Sequence, residues 1–324
     1  MTEKDPGANR RRATVVVMAH ATTGWHLGTY TPKKSDGSSM HIDMGRELSG
    51  SEYESYRNDV DLLSRVSVSG SVLELAEAFQ KVIADANYMV SGDRAGETRE
   101  IRSSRARNMK NFLSELVATR QRLSALLDER LPDEAPALRA TFEGFYKKER
   151  HFRLAWELRN EGEHGRDPLA HSRLSERLVD DAVERRWIFD LPSLFAAHSE
   201  EKPWRAAAAL WGDADDVVVL TVIAHAYSVV ELCYSFAVVN QESQIRAAAA
   251  RIAALHSEAA VEGKYPAVFN VGYDPDAAVP RALLGMNLQL VPIEVAVEAE
   301  HSIAAAHKNV DHWFALKAAN SGAE

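Results

Sequence analysis

One apolar run constrains the fold of this chain more than any other feature. Residues 217–239 read VVVLTVIAHAYSVVELCYSFAVV, which is long enough for a helix to cross a lipid bilayer. His225 and Glu231 interrupt the run, and a charged side chain at mid-bilayer depth costs a few kcal/mol. No lysine or arginine immediately flanks it. We therefore expect a buried helix in a soluble core or at a dimer interface, with no membrane contact.

Composition narrows the class of protein and its compartment. The 324-residue chain is 46% hydrophobic and carries a formal charge of -9, which is typical of a soluble globular protein. This charge argues against a protein that coats nucleic acid non-specifically, although it permits a local basic patch. The single cysteine, Cys233, excludes an intramolecular disulfide and a cysteine-based zinc site. His20 interrupts the only apolar run near the N-terminus before it reaches signal-peptide length, so we expect a cytoplasmic protein.

Hydrophobic periodicity predicts a mainly α protein with minor β or irregular segments. Apolar residues recur at spacings of three and four, which is typical of amphipathic helices. The predicted helices span residues 71–89, 105–131, 136–163, 171–187, 203–211, 215–239, 241–262 and 299–319. Two short β-like runs lie at 267–271 and 288–291.

The same patterns suggest four segments. Residues 1–12 are polar and charged, and we expect a disordered tail. Residues 13–70 would form an N-terminal arm, with one or two short strands or irregular chain over 13–45. Residues 71–175 would form a helical bundle. Residues 176–324 would be mainly helical, either packed with the bundle as one domain or serving as a separate module.

The helix predicted at 136–163 ends in an unusual polar run. Its apolar stripe includes Phe152 and Trp156, and the next position on that stripe is Arg159. The run itself reads Arg159-Asn160-Glu161-Gly162-Glu163-His164. Gly165 and Pro168 follow, which are typical signals for the end of a helix.

A guanidinium at the end of a buried stripe needs an anion, because an unpaired buried charge costs several kcal/mol. One interpretation is structural: Arg159 pairs with Glu149 or Glu163 of its own chain, and His164 completes the helix end. The other is functional: arginine, asparagine and histidine together bind a phosphodiester and move its protons. Arg159 and His164 diverge by about 140° on one ideal helix. Two facing helix ends in a symmetric dimer would bring them together.

The run resembles the motif of the HEPN superfamily (higher eukaryotes and prokaryotes nucleotide-binding), which is Arg, then Asn, Asp or His, then three residues, then His. The resemblance covers about residues 71–175. It implies a HEPN-like helical bundle and a homodimer whose motifs meet across the two-fold axis. It further implies a metal-independent endoribonuclease in which the 2′-hydroxyl of RNA attacks to leave a 2′,3′-cyclic phosphate. Many members are toxins of toxin-antitoxin pairs or phage-defence effectors, so a separate antitoxin or regulator would be a partner.

Carried over by position, the resemblance implies that His164 is the general acid and base, Arg159 stabilises the charged phosphorane, and Asn160 orients the phosphate or His164. We assign neighbouring substrate contacts to Arg153, Arg166 and His171. The resemblance implies no cofactor and no metal.

A second match to the motif runs from Arg166 to His171, and Pro168 makes a continuous helix across it unfavourable. For His225 and Glu231 we predict a hydrogen-bonded core pair.

Two alternative functions remain open. A non-catalytic HEPN-like module that binds a nucleotide or a protein is one, and an ordinary helical scaffold is the other.

Overall fold

The computed structural model of the chain describes residues 16–18, 24–32, 41–66, 72–91, 99–130, 132–133, 135–179, 182–273 and 283–321. The expected tail at 1–12 lies outside these residues. Within them the protein is mostly helical with two small sheets, so the prediction of a mainly α fold is confirmed. The helices are α1 (Gly50–Val66), α2 (Leu73–Ser91), α3 (Arg99–Arg130), α4 (Ala135–Lys148), α5 (Arg150–Glu163), α6 (Leu191–Ala197), α7 (Lys202–Trp211), α8 (Val219–Asn240), α9 (Glu242–Ala259) and α10 (Ile293–Ser321).

Eight strands of the described part of the chain form the two sheets. They are β1 (Val16–Met18), β2 (Trp25–Thr31), β3 (His41–Leu48), β4 (Ser172–Val179), β5 (Ala182–Asp190), β6 (Asp216–Val218), β7 (Tyr265–Tyr273) and β8 (Leu283–Leu290). The larger sheet has the order β1-β3-β2-β7-β8, and the smaller has the order β4-β5-β6. All neighbouring strands are antiparallel except β1 and β3, which are parallel. The β-like runs predicted near 267–271 and 288–291 are therefore confirmed as parts of β7 and β8.

The chain divides into two compact units. The first combines residues up to Ser64 with Ser243–Glu300 and contains the larger sheet. Strands β2 and β3 approach each other closely, since a Cβ on Gly28 would lie 2.2 Å from the Asp43 carbonyl oxygen. In the same unit, Arg251 of α9 binds the buried Asp59 carboxylate of α1 through two hydrogen bonds of 2.7 Å.

The second unit comprises Arg65–Glu242 and the chain from His301. Its core helix is α8, which the apolar run at 217–239 forms almost entirely. Among the described residues, α8 is the one helix long and apolar enough to cross a membrane, yet 61% of its apolar window is buried within the protein. Helices α2, α3, α4 and α5 contact it. This burial agrees with the prediction of a core helix.

Two predicted helices differ from the structure. The helix at 136–163 is two helices, because Glu149 between α4 and α5 adopts an extended backbone with φ -89° and ψ 102°. The helix predicted at 171–187 is wrong, since the described residues in this range form the antiparallel strands β4 and β5. Leu174 and Leu178 are four residues apart, as are Val183 and Trp187, and a strand satisfies this spacing as well as a helix. Cross-strand pairing decides between the two, and the Trp187 indole donates a 3.1 Å hydrogen bond to Ser172 Oγ of the partner strand.

The predicted pair of His225 and Glu231 is also wrong, because no hydrogen bond joins these two described residues. His225 is exposed and stacks on His151 of α5, with ring centroids 4.3 Å apart. Glu231 is partly buried, and this burial raises the pKa of its carboxyl. His225 and Glu231 therefore lie in two different environments, although both belong to α8.

His151 makes the stability of this unit depend on pH. Burial, followed by repulsion from His225 and Arg150, lowers the pKa of His151 from 6.5 to about 4. Between pH 6.5 and 4 the unfolded chain therefore binds a proton at His151 while the folded chain does not. The contribution of neutral His151 to the free energy of unfolding is thus complete above pH 6.5 and declines as the pH falls. We expect His151→Gln to show a smaller loss of urea-unfolding midpoint from pH 7 to pH 5 than the wild type. The exposed His312→Gln variant serves as control, and parallel midpoints in His151→Gln and wild type would contradict the prediction.

Candidate functional site

The buried carboxylate of Glu157 organises the polar side of α5. Its side chain is 1% exposed, and Arg153 Nε lies 2.8 Å from Oε1. The Tyr146 hydroxyl of α4 donates to Oε1 over 3.0 Å, and Asn160 Nδ2 donates to Oε2 over 3.1 Å. With Arg159, these residues form what we call the Glu157 network. Burial and the nearby Glu157 charge raise the pKa of Tyr146 to about 12, so its hydroxyl remains a donor at neutral pH.

Arg153 faces the interior of the protein. Its guanidinium lies over the Tyr146 ring, 3.9 Å from the centroid, and Nη2 donates to the Pro203 carbonyl oxygen over 3.1 Å. Only 10% of the side chain is exposed. The sequence suggested a substrate contact here, whereas the observed contacts hold Glu157 in place.

Arg159 and Asn160 are in direct contact at the end of α5. Arg159 Nη1 donates to Asn160 Oδ1 over 3.3 Å, so the amide of Asn160 is held from both sides. Arg159 also forms an ion pair with Glu163, as the structural interpretation predicted, while the alternative partner Glu149 is not used. The Glu163 side chain is half-exposed, and such pairs contribute only about 0–1 kcal/mol. Arg159 Nε has no acceptor among the described residues.

The predicted stop of the helix after His164 is confirmed. Gly165 adopts φ +78°, its N–H donates to the Gly162 carbonyl, and the Arg166 N–H donates to the Glu161 carbonyl. These two bonds form a Schellman motif, which favours glycine at the left-handed position. His164 is exposed, and its side chain forms no hydrogen bond or ion pair with the described part of the chain. A single chain thus brings Arg159 and Asn160 together and leaves His164 free beside them.

The second motif match, Arg166 to His171, lines a separate cavity of about 290 Å³. Arg166 Nη1 lies 3.1 and 3.2 Å from the two oxygens of the buried Glu161 carboxylate and 3.4 Å from Glu201 Oε1. His171 Nδ1 lies 3.0 Å from Ser193 Oγ. The predicted substrate contacts Arg166 and His171 are therefore close in space, on the side of α5 that carries Glu161.

His198 completes this cavity, and sequence reasoning missed it. Its Nδ1 lies 3.2 Å from Glu201, and its Nε2 lies 3.6 Å from Glu161. The hydrogen bond from His198, and to a lesser degree the contact with Arg166, lowers the pKa of Glu201. Glu161, His198 and Glu201 offer donor types that metals accept, with ligand atoms within 4.8 Å of one another. The Arg166 guanidinium already binds both carboxylates, and no sequence spacing links Glu161 to residues so far along the chain.

No family model, no curated protein and no solved structure matches this chain. The interpretation of the site therefore depends on its own residues. Three properties bear on function: the held amide of Asn160, a partly exposed guanidinium at Arg159, and an exposed imidazole at His164. Together they offer an anion contact and a proton-transfer group at one helix end.

Glu157 and Glu163 of α5 should differ greatly in their contribution to stability. Glu157→Ala leaves the Arg153 guanidinium buried and uncompensated, and we expect the free energy of unfolding to fall by about 3–5 kcal/mol. Glu163→Ala removes only a half-exposed partner, and we expect a change within about 1 kcal/mol. Urea unfolding followed by circular dichroism measures both. Equal effects of the two substitutions would contradict the assigned role of Glu157.

Proposed function

We propose that this protein is a HEPN-like, metal-independent endoribonuclease that acts in the cytoplasm as a bacterial toxin or as a phage-defence or stress effector. The observation that supports this most is the end of α5, where Glu157 holds Asn160 against Arg159 next to the exposed His164. The proposal includes a HEPN-like arrangement of the helices around α5. It requires neither a metal nor a cofactor.

The proposed reaction uses each of the three motif residues. His164 removes the proton from the RNA 2′-hydroxyl as its oxygen attacks phosphorus, the bond to the 5′-oxygen breaks, and the protonated His164 donates that proton to the departing oxygen. A 2′,3′-cyclic phosphate and a 5′-hydroxyl end result. Arg159 stabilises the charge on the phosphorane oxygens, and a phosphate can displace the weakly held Glu163 carboxylate. Asn160, held by Glu157, keeps the guanidinium oriented.

A dimer supplies the geometry that one helix does not. On an ideal helix Arg159 and His164 would diverge by about 140°. In a two-fold dimer the same surface meets itself, so Arg159 of one protomer can face His164 of its partner across the axis. We accordingly propose a composite site at a homodimer contact.

The ion pair between Arg159 and Glu163 favours one alternative. It is the ion pair expected of an ordinary helical scaffold, in which Arg159 is satisfied within its own chain. A non-catalytic HEPN-like module that binds a nucleotide or a protein is the other alternative. Such a module shows ligand-dependent thermal stabilisation without RNA turnover.

Cleavage assays test the catalytic proposal directly. We expect the purified protein to cut single-stranded RNA in EDTA and to leave 2′,3′-cyclic phosphate ends, identified by mass spectrometry. His164→Ala and Arg159→Ala should each lower the rate at least about 100-fold, because they remove proton transfer or charge stabilisation. His301→Ala, an exposed histidine on α10, is the matched control. Full activity in the His164→Ala protein refutes the assignment.

Mixed dimers test whether the site is composite. When Arg159→Ala and His164→Ala subunits are mixed and exchanged, half of the dimers are hybrids, and each hybrid has one intact site if Arg159 and His164 act across the axis. We expect about one quarter of wild-type activity from the mixture, with a dimer mass in sedimentation. A site within one chain gives no recovery.

A further inference from the structure

A second cavity, of about 340 Å³, lies against the Glu157 network within the same compact unit. Four rings line it, together with three charged side chains. The rings belong to Phe142, Tyr146, Phe152 and Trp156, and the charged groups to Arg120, Glu143 and Lys147. We refer to it as the aromatic cavity.

The four rings contact one another along the cavity at tilted or edge-to-face angles. Phe142 and Phe152 are buried and lie 6.2 Å apart between centroids, which makes them the inner wall. Tyr146 and Trp156 are only partly buried and meet edge to face, with centroids 6.0 Å apart. Partly exposed aromatic faces over a buried aromatic wall offer a planar ligand a stacking surface.

Arg120 gives the cavity its charge. Its guanidinium lies 4.9 Å from the Trp156 ring centroid and 5.5 Å from that of Phe142. It forms no hydrogen bond or ion pair with the described residues. By contrast Arg122, two residues further along α3, pairs with Glu74 and Glu115. A guanidinium over aromatic faces without a carboxylate partner is suited to an anionic ligand.

The remaining charges at the rim offset each other. Glu143 and Lys147 lie one turn apart on α4, and Lys147 Nζ is 3.3 Å from Glu143 Oε2. Both side chains are exposed, so the ion pair between them is weak. The guanidinium of Arg120 therefore remains the dominant uncompensated charge among the residues that line the cavity.

The aromatic cavity is connected to the motif through shared residues. Tyr146 lines the cavity and also donates to Glu157, which in turn holds Asn160. Trp156 precedes Arg159 by three residues and Asn160 by four, so all three lie on neighbouring positions of one face of α5. A planar group on Trp156 would place its attached phosphate toward Arg159.

We propose that the aromatic cavity is a base-stacking subsite for single-stranded RNA. The base beside the scissile phosphate stacks on Trp156, and Arg120 binds the other phosphate of that nucleotide, the one that is not cleaved. The volume falls within the range of small-molecule clefts, about 300–1,000 Å³. Stacking tolerates every base, so the subsite discriminates little between sequences. The identity of the ligand as RNA rests on the proposed function.

The test separates binding from cleavage. A fluorescein-labelled RNA hexamer with 2′-O-methyl groups lacks the attacking hydroxyl, so its fluorescence anisotropy reports binding alone. We expect Arg120→Gln and Trp156→Leu each to weaken binding about tenfold, since they remove the phosphate contact or the stacking face. Trp156→Phe keeps an aromatic face and should stay within about threefold of the wild type. Arg122→Gln is the matched charge control on the same helix and should change affinity less than about twofold.

Each result is decisive for the subsite. Cavity-dependent binding of the hexamer supports it, even in a protein that cleaves no RNA, and that combination refutes the catalytic proposal alone. Equal affinities of wild type, Arg120→Gln and Trp156→Leu overturn the subsite, even if RNA cleavage is intact. Variants that lose the dimer mass while keeping hexamer affinity assign the cavity to a contact between copies of the chain, and also overturn it.

Discussion

The arrangement of the candidate site depends on one buried charge, the Glu157 carboxylate. A carboxylate removed from water must be compensated by a cation and by hydrogen bonds, because desolvation costs several kcal/mol. Arg153 supplies the cation, and Tyr146 and Asn160 supply the hydrogen bonds. These partners come from α4 and α5, so satisfying one charge also fixes how the two helices meet. The orientation of the Asn160 amide, and with it the contact to Arg159, follows from this constraint.

Two groups of polar residues lie near the end of α5. In one, the Glu157 network reaches Arg159 and Asn160. In the other, the Schellman turn at Gly165 folds the chain back so that Arg166 binds the carboxylate of Glu161. The two motif matches in the sequence therefore do not compete for one location. They form two neighbouring sites, and only the first combines a held amide with a free imidazole.

Much of the fold could be predicted because the residue pattern of a helix depends on residues that are close in sequence. The spacing of apolar residues located α2, α7, α8 and α9 to within about four residues, and Gly165 marked the end of α5 correctly. Strands β4 and β5 were missed because their apolar residues recur four apart, which fits both periods, and the pairing of β5 with β6 is a non-local contact. His198 and Glu201 were missed for a similar reason. They reach Glu161 only when α7 packs beside α5.

The sequence by itself determined a mainly α chain, an apolar core helix, and a helix that stops beyond a run of arginine, asparagine and histidine. These features depend on periodicity and on glycine backbone freedom, which act over a few residues. Only the tertiary structure decided which partner each buried polar group has. Glu157, not Glu149, is the carboxylate that anchors the site, and Arg153 faces it inward. Such choices depend on which side chains share a desolvated space, and that is set by packing between distant segments.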